Sequence, residues 1–187
     1  MKQKYYVAIH NSNDIWKRSS SGGAFTAITD AWVEKYNESA VVYGCVFDEN
    51  LNAVHIRTTT KVKRDRMCGS KYIQSNIAGI FKDVENDLNN GLYVCFSGTP
   101  CQIAGLKKYL ECKKVEQKEY LLTIEVICHG VGSIKFFKDY IKDLEKKYKG
   151  KAFKCNFRTK RSPEKRQDME VVFNNGKRYN ASSTSTL

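Results

Sequence analysis

Two apolar runs dominate the hydrophobic pattern of this chain. The first reads Leu92-Tyr-Val-Cys-Phe-Ser-Gly-Thr-Pro-Cys-Gln-Ile-Ala-Gly-Leu106, the second Leu121-Leu-Thr-Ile-Glu-Val-Ile-Cys-His-Gly-Val-Gly-Ser133. Short apolar runs of this kind suit strands buried on both faces of a sheet. Each runs into a cysteine-bearing loop and then into helical spacing. After Ser133, a natural N-cap, the face Ile134, Phe137, Ile141, Leu144 and Tyr148 follows. If both runs are parallel strands of one sheet, Cys101 and Cys128 emerge at the same edge. Open α/β sheets bind their ligands there, outside the carboxyl ends of the strands.

The remaining pattern fills in around these units. Residues 4–9 read as a short strand and 11–14 as a turn. Phe25, Ile28 and Trp32 share a helical face, with Ala24, Ala27 and Ala31 nearby; the preceding serines can cap a helix beginning at Gly22 or Gly23. Residues 40–47 form an apolar strand that turns at 48–50 and returns, antiparallel, over 53–57. A basic connector (61–66) and a loop (68–75) lead to a helix with Ile77, Phe81, Val84 and Leu88 on one side, stopped at Asn89-Asn90-Gly91. Residues 153–158 are a further strand, and 169–173 with 177–179 flank Asn174-Asn175-Gly176, a hairpin signal. The predicted class is α/β: a mixed, mainly parallel sheet flanked by helices, with a C-terminal β-hairpin.

A length of 187 residues suits one domain, and 41% hydrophobic with 28% charged residues is a folded composition. No apolar run approaches the roughly 18–20 residues of a membrane span, and no secretory signal is visible. The cysteine count of seven is odd. Without an export signal, that argues for a reducing, cytoplasmic setting rather than a disulfide framework. No C-x-x-C pair occurs, so no self-contained zinc or ferredoxin motif is present. Cys45 and Cys95 read as small buried hydrophobes; Cys112 and Cys155 receive no role. The formal net charge of +12 concentrates after Leu106. Such a face can attract an acidic protein, an anionic cofactor or nucleic acid, or can simply be solvated. No nucleic-acid motif or aromatic–basic interleaving accompanies it.

Four segments can carry chemistry. In Thr99-Pro100-Cys101-Gln102, Thr99 suits the N-cap and Pro100 the first helical position. Cys101 then lies in the first turn, where the helix dipole favours a thiolate. Cys128-His129-Gly130 offers a ligand, a nucleophile or a contact to a redox ring, with Cys128 favoured. Ser20, Ser21, Gly22 and Gly23 stand at a helix start whose backbone N–H groups suit phosphate or a flavin edge. Ser70, Lys71, Tyr72, Gln74 and Ser75 follow Gly69; Lys71 can pair with phosphate and Tyr72 can stack on a ring. Each segment also has a plain reading as a helix cap or loop, and His10 and His55 have no motif around them.

Taken together, Ser19-Ser-Ser-Gly-Gly-Ala-Phe-Thr-Ala27, Val42-Tyr-Gly44, Gly69-Ser-Lys-Tyr-Ile-Gln-Ser75, Phe96-Ser-Gly-Thr-Pro-Cys-Gln-Ile-Ala-Gly-Leu-Lys107 and Ile127-Cys-His-Gly-Val131 resemble the beta subunits of coenzyme F-420 hydrogenases and dehydrogenases. The resemblance implies a flavin, FAD or FMN, that passes electrons between iron–sulfur clusters and a small organic acceptor. It also implies a ferredoxin-type protein or domain as partner. Carried over, Ser20 to Gly23, Ser70 to Tyr72, Gln74, Ser75, Thr99 to Gln102, His129 and Gly130 would line the flavin site. Cys101 and Cys128 would be cluster ligands or flavin neighbours; a 4Fe–4S cluster wants four thiolates. Many relatives carry a cysteine run before the serine-glycine loop and continue beyond the position of Leu187. The expectation is therefore a single domain matching part of the family's flavin-binding module, incomplete at its C-terminus. Two alternatives stand beside an oxidoreductase: a basic nucleic-acid-binding module, and a non-catalytic partner subunit or remnant of the same fold.

Overall fold

The computed structural model describes residues 4–160 and 168–181. Arg161, Lys165 and Arg166 of the basic run and the polar tail after Ala181 lie outside them. In chain order the elements are α1 (Asn13–Arg18), α2 (Ala24–Tyr36), β1 (Ala40–Phe47), β2 (Ala53–Thr58), α3 (Lys61–Asp65), α4 (Ile80–Asn89) and β3 (Tyr93–Gly98). They continue with α5 (Pro100–Cys112), β4 (Leu121–Glu125), α6 (Ile134–Tyr148), β5 (Ala152–Thr159), β6 (Asp168–Phe173) and β7 (Arg178–Ala181).

The first sheet has the order β2-β1-β3-β4. β1 pairs with β3, and β3 with β4, in parallel, while β2 returns antiparallel along β1. The apolar character of β1 follows from burial on both sides. Val41 and Tyr43 pack with Val84, Leu88, Leu106 and Leu110 from α4 and α5. Val42 and Val46 face the other way, toward Phe25 and Trp32 of α2. Helices on both faces of a parallel layer are what such runs require. The hairpin β6–β7 forms with β5 a separate antiparallel sheet, order β5-β6-β7. Phe137, Ile141 and Leu144 of α6 pack in one core with Val171 and Phe173 of β6 and with Leu51 and Ala53 before and on β2. α6 is thus the wedge between the two sheets.

Buried polar groups tie the layers together. The Tyr43 hydroxyl donates to Asp87 Oδ2 at 2.6 Å, and Arg57 donates to both Asp87 oxygens, at 2.7 and 3.0 Å. The segment 61–66 is not a plain connector. It contains α3, whose Arg64 is 4% exposed and donates to the Thr26 carbonyl, Thr29 Oγ1 and Asp30. This cation changes the face α2 presents. Thr26 and Thr29 are buried against it, while Ile28 and Ala24, Ala27 and Ala31 are exposed.

Two further local expectations, at the start of the chain, also fail. Residues 4–9 form no strand: Tyr5, Tyr6 and Val7 are exposed and join no ladder. β propensity needs a neighbouring edge, and no strand of either sheet pairs with this segment. It is anchored instead by the His10 N–H, which donates to the Gly22 carbonyl at 2.7 Å. The expected turn at 11–14 opens α1, with Ser12 Oγ accepting from the Ile15 N–H.

Candidate functional site

The parallel strands set the geometry of the site. The chain leaves β3 and β4 at the same edge of the sheet because the two are parallel neighbours. A cleft of about 1200 Å³ opens there. Its walls are the serine-glycine turn before α2, the loop 67–75, the β3–α5 junction and the loop 126–132. His55 of β2 and Cys45 of β1 contribute from the sheet itself.

The serine-glycine turn is shaped by close approach. A Cβ on Gly22 would stand 2.0 Å from the Ala8 carbonyl oxygen. Gly23 has φ +90 and is the N-cap of α2, so it offers no side-chain cap. The serines do not cap the helix either; Ser20 Oγ accepts from the Ser70 N–H at 2.8 Å, tying this turn to the next loop. Two carbonyls of the turn are held from outside. Lys160 donates its ammonium to the carbonyls of Trp16 and Ser21 while resting 4.5 Å over the Trp16 ring. The His10 N–H holds the Gly22 carbonyl. In a trans peptide the next N–H points opposite to the carbonyl. The N–H groups of Gly22 and Gly23 therefore point away from those partners, and no described group accepts from either. With the first-turn amides of α2 they leave a run of donors with no acceptor among the described residues, a setting favourable to an anion.

Ser70, Tyr72, Gln74 and Ser75 line the cleft, as does Lys71. The Lys71 ammonium is already engaged, donating to the carbonyls of Arg66, Met67, Cys68 and Gly69 at 2.9–3.4 Å. Burial pushes its pKa down, against the pull of Cys45 and Cys68. It closes its own loop rather than presenting a free charge. Tyr72 rests its ring on Phe157 of the second sheet, 5.4 Å between centroids.

At the β3–α5 junction the side chain of Gln102, 5% exposed, reaches back to accept from the Thr99 N–H at 3.0 Å and donates to Ser75 Oγ at 2.8 Å. Thr99 and Gln102 line the cleft; Pro100 and Cys101 do not. Cys101 is exposed, its sulfur 3.2 Å from Thr99 Oγ1. Helical geometry explains this: when the third residue of the first turn faces inward, the second is rotated about 100° away. Cys128, His129 and Gly130 line the cleft from the neighbouring loop, and the Gly130 N–H donates to the Cys128 sulfur at 3.4 Å. The two thiols share an edge of the sheet but do not line one cleft. Among the described residues no group of three or more histidine, cysteine or acidic side chains is placed to hold a metal. The chain's described residues therefore do not fit a 4Fe–4S cluster.

Cys45, Cys68 and His55 are among the cleft residues to which the sequence reading gave no site role. Cys45 is half-buried on the cleft wall rather than sealed in the core, and burial raises its thiol pKa. Cys68 lines the cleft beside Thr26, with 3.4 Å between Sγ and Oγ1. His55 stands directly opposite Cys45 in the β1–β2 ladder. The tight turn after Phe47 carried that signal: closing the hairpin there pairs position 45 with 55.

Comparisons with known proteins agree with the fold. A search of curated proteins finds no match. A chain from the xenon-derivatised F420-reducing [NiFe] hydrogenase complex of Methanosarcina barkeri shares the fold, with a TM-score of 0.60 at 17% identity. The match covers 97% of this chain and 62% of that one. The family model for the C terminus of the coenzyme F420 hydrogenase/dehydrogenase beta subunit matches residues 92–185, from β3 through the second sheet. With half of its length under that match, the chain belongs to the coenzyme F420 hydrogenase/dehydrogenase beta-subunit family.

Proposed function

We propose that this chain binds a flavin in the cleft and serves an oxidoreductase that moves electrons between a ferredoxin-type donor and a small organic acceptor. The observation that carries the reading is the uncapped start of α2, whose outward-held carbonyls leave amides for a phosphate beside a cleft of flavin size. The flavin, when bound, would supply the electron and hydride chemistry. The chain's residues would do the rest. The N–H groups of Gly22, Gly23 and Ala24 would hold phosphate. Ser20 would keep the loop at Ser70 closed over it, and Lys160 would hold the turn in shape. Gln102, Ser75 and Thr99 would form a satisfied polar floor, and Cys128 with His129 would stand at the rim.

Electrons would come from outside the described residues, because no cluster site is present among them. A ferredoxin-type partner docking on a chain of net charge +12 fits that need. All seven cysteines are unpaired, in keeping with the cytoplasm. The same absence of a cluster site favours a second reading, a partner subunit that holds flavin but does not turn over alone. Purified protein should take up FAD or FMN and show a bound-flavin spectrum under argon. Reduction of that flavin by an added reduced ferredoxin supports the enzyme reading; bound flavin that stays oxidised supports the second. Protein that takes up neither flavin, in air or under argon, refutes both.

A further inference from the structure

The mouth of the cleft gathers large apolar side chains in the open. Tyr6, Val7, Tyr72, Val126, Ile127 and Val131 all line the cleft, and all are exposed. Val7 is 100% exposed and Ile127 90%. The six come from three separate segments, and hydrogen bonds join the walls that carry them. The His10 N–H donates to the Gly22 carbonyl, holding the N-terminal segment against the serine-glycine turn. Ser20 Oγ accepts from the Ser70 N–H, and the Gly132 N–H donates to the Tyr72 carbonyl at 3.1 Å. The apolar rim is therefore built on one connected set of walls. Past Ser133 its character continues in Ile134 and Phe136, both exposed on the first turn of α6.

Apolar groups gathered in the open round a concave mouth mark a contact surface. The charges beside them say what kind. Exposed Lys4, Lys17, Arg66 and Lys135 stand next to the wall-forming segments, against the exposed acids Asp14 and Glu125, and the whole chain carries +12. An apolar centre within a basic border is complementary to an apolar centre within an acidic one. Because the mouth is concave, a flat bilayer would touch the rim and leave the cleft unfilled. A protruding protein face reaches both. We infer that the cleft mouth docks a small acidic protein whose convex apolar centre covers Val7 and Ile127; the role of that protein as electron donor rests on the flavin reading above.

The test uses the full chain and, as probe, a small acidic 4Fe–4S ferredoxin, with binding followed by titration calorimetry under argon. A basic cytochrome c is the charge control. The wild type should bind the ferredoxin and not the cytochrome, and raising salt from about 50 to about 500 mM should weaken binding at least about tenfold. Val7→Ser with Ile127→Ser should weaken it about tenfold. Both side chains are exposed, so the melting temperature should not move. Lys4→Glu with Lys135→Glu should weaken binding at low salt and by less than about twofold at high salt. Undiminished binding by the folded Val7→Ser/Ile127→Ser protein overturns the inference, as does equal binding of the cytochrome. So does a wild type that ignores ferredoxin but holds phosphatidylglycerol vesicles, or a second copy of itself in analytical ultracentrifugation, through the same two residues. Flavin uptake is measured separately. Protein that takes up FMN or FAD yet binds no ferredoxin fails this inference alone. Protein that binds ferredoxin yet takes up neither flavin fails the flavin reading and keeps the docking surface.

Discussion

Gln102 joins the start of α5 to the loop that walls the cleft, so replacing it tests the site's construction directly. Gln102→Leu keeps the volume and the burial but removes both polar ends. The acceptor for the Thr99 N–H at 3.0 Å and the donor to Ser75 Oγ at 2.8 Å are lost. Each such bond contributes about 1 kcal/mol net, giving a loss of about 2 kcal/mol. With a urea m-value of about 2 kcal/mol/M, the midpoint should fall by about 1 M. Ser75→Ala removes only the second bond and should lower it by about 0.5 M. Because the two side chains share that bond, the double variant should be no less stable than Gln102→Leu alone. Urea melts followed by circular dichroism measure all three. A midpoint shift under about 0.25 M for Gln102→Leu, or full additivity of the two single changes, would refute the bonding described here.

Other perturbations reach different layers. Asp87→Asn removes the charge that Arg57 grips at 2.7 and 3.0 Å and that the Tyr43 hydroxyl meets in the core. A thermal melt should show a loss of about 2 kcal/mol, and a change under about 0.5 would contradict the triad's role. His55 titrates below its ordinary value because it is buried. The unfolded chain therefore binds the extra proton first, and stability should fall as pH drops from about 6.5 toward the lowered folded value, with no effect above. Melts of His55→Gln across pH 5 to 8 should be correspondingly flatter; an identical profile would exclude His55 as the source. Cys101→Ala should leave stability within about 0.5 kcal/mol, since the side chain is exposed. A thiol reagent should label Cys101 in the folded protein. It should reach Cys95, fully buried and with its thiol pushed up to about 12, only on unfolding. Early labelling of Cys95 would show that β3 is not sealed.

Some of the site was legible because local physics decides it. The Thr99-Pro100 start of α5 and the Ser133 cap of α6 follow from orphan amides at a helix start. The Phe47 to Ala53 turn fixes the hairpin register. The apolar runs of β1 and β3 announce burial on two faces. The residues now most telling were not legible. Cys45 resembled any small core residue, and His55 had no motif around it. Lys71 looked like a free charge because nothing in its neighbours reveals that four carbonyls curl round its ammonium.

The sequence by itself determined periodicity, caps and turns, because each depends on residues only a few positions apart. It thereby determined the strand–loop–helix units and the edge of the sheet at which their loops gather. Tertiary structure alone decided which atoms of those loops remain unsatisfied. Lys160 reaches the serine-glycine turn from just beyond β5, well over a hundred residues along the chain, and Gln102 turns inward to Ser75 while Cys101 turns out. Residues 4–9 have the composition of a strand, yet without an edge to pair with they remain unpaired against Gly22. Hydrogen-bond satisfaction is a property of the whole packed molecule, so the open amides at Gly22 and Gly23 became visible only once every nearer partner had been assigned.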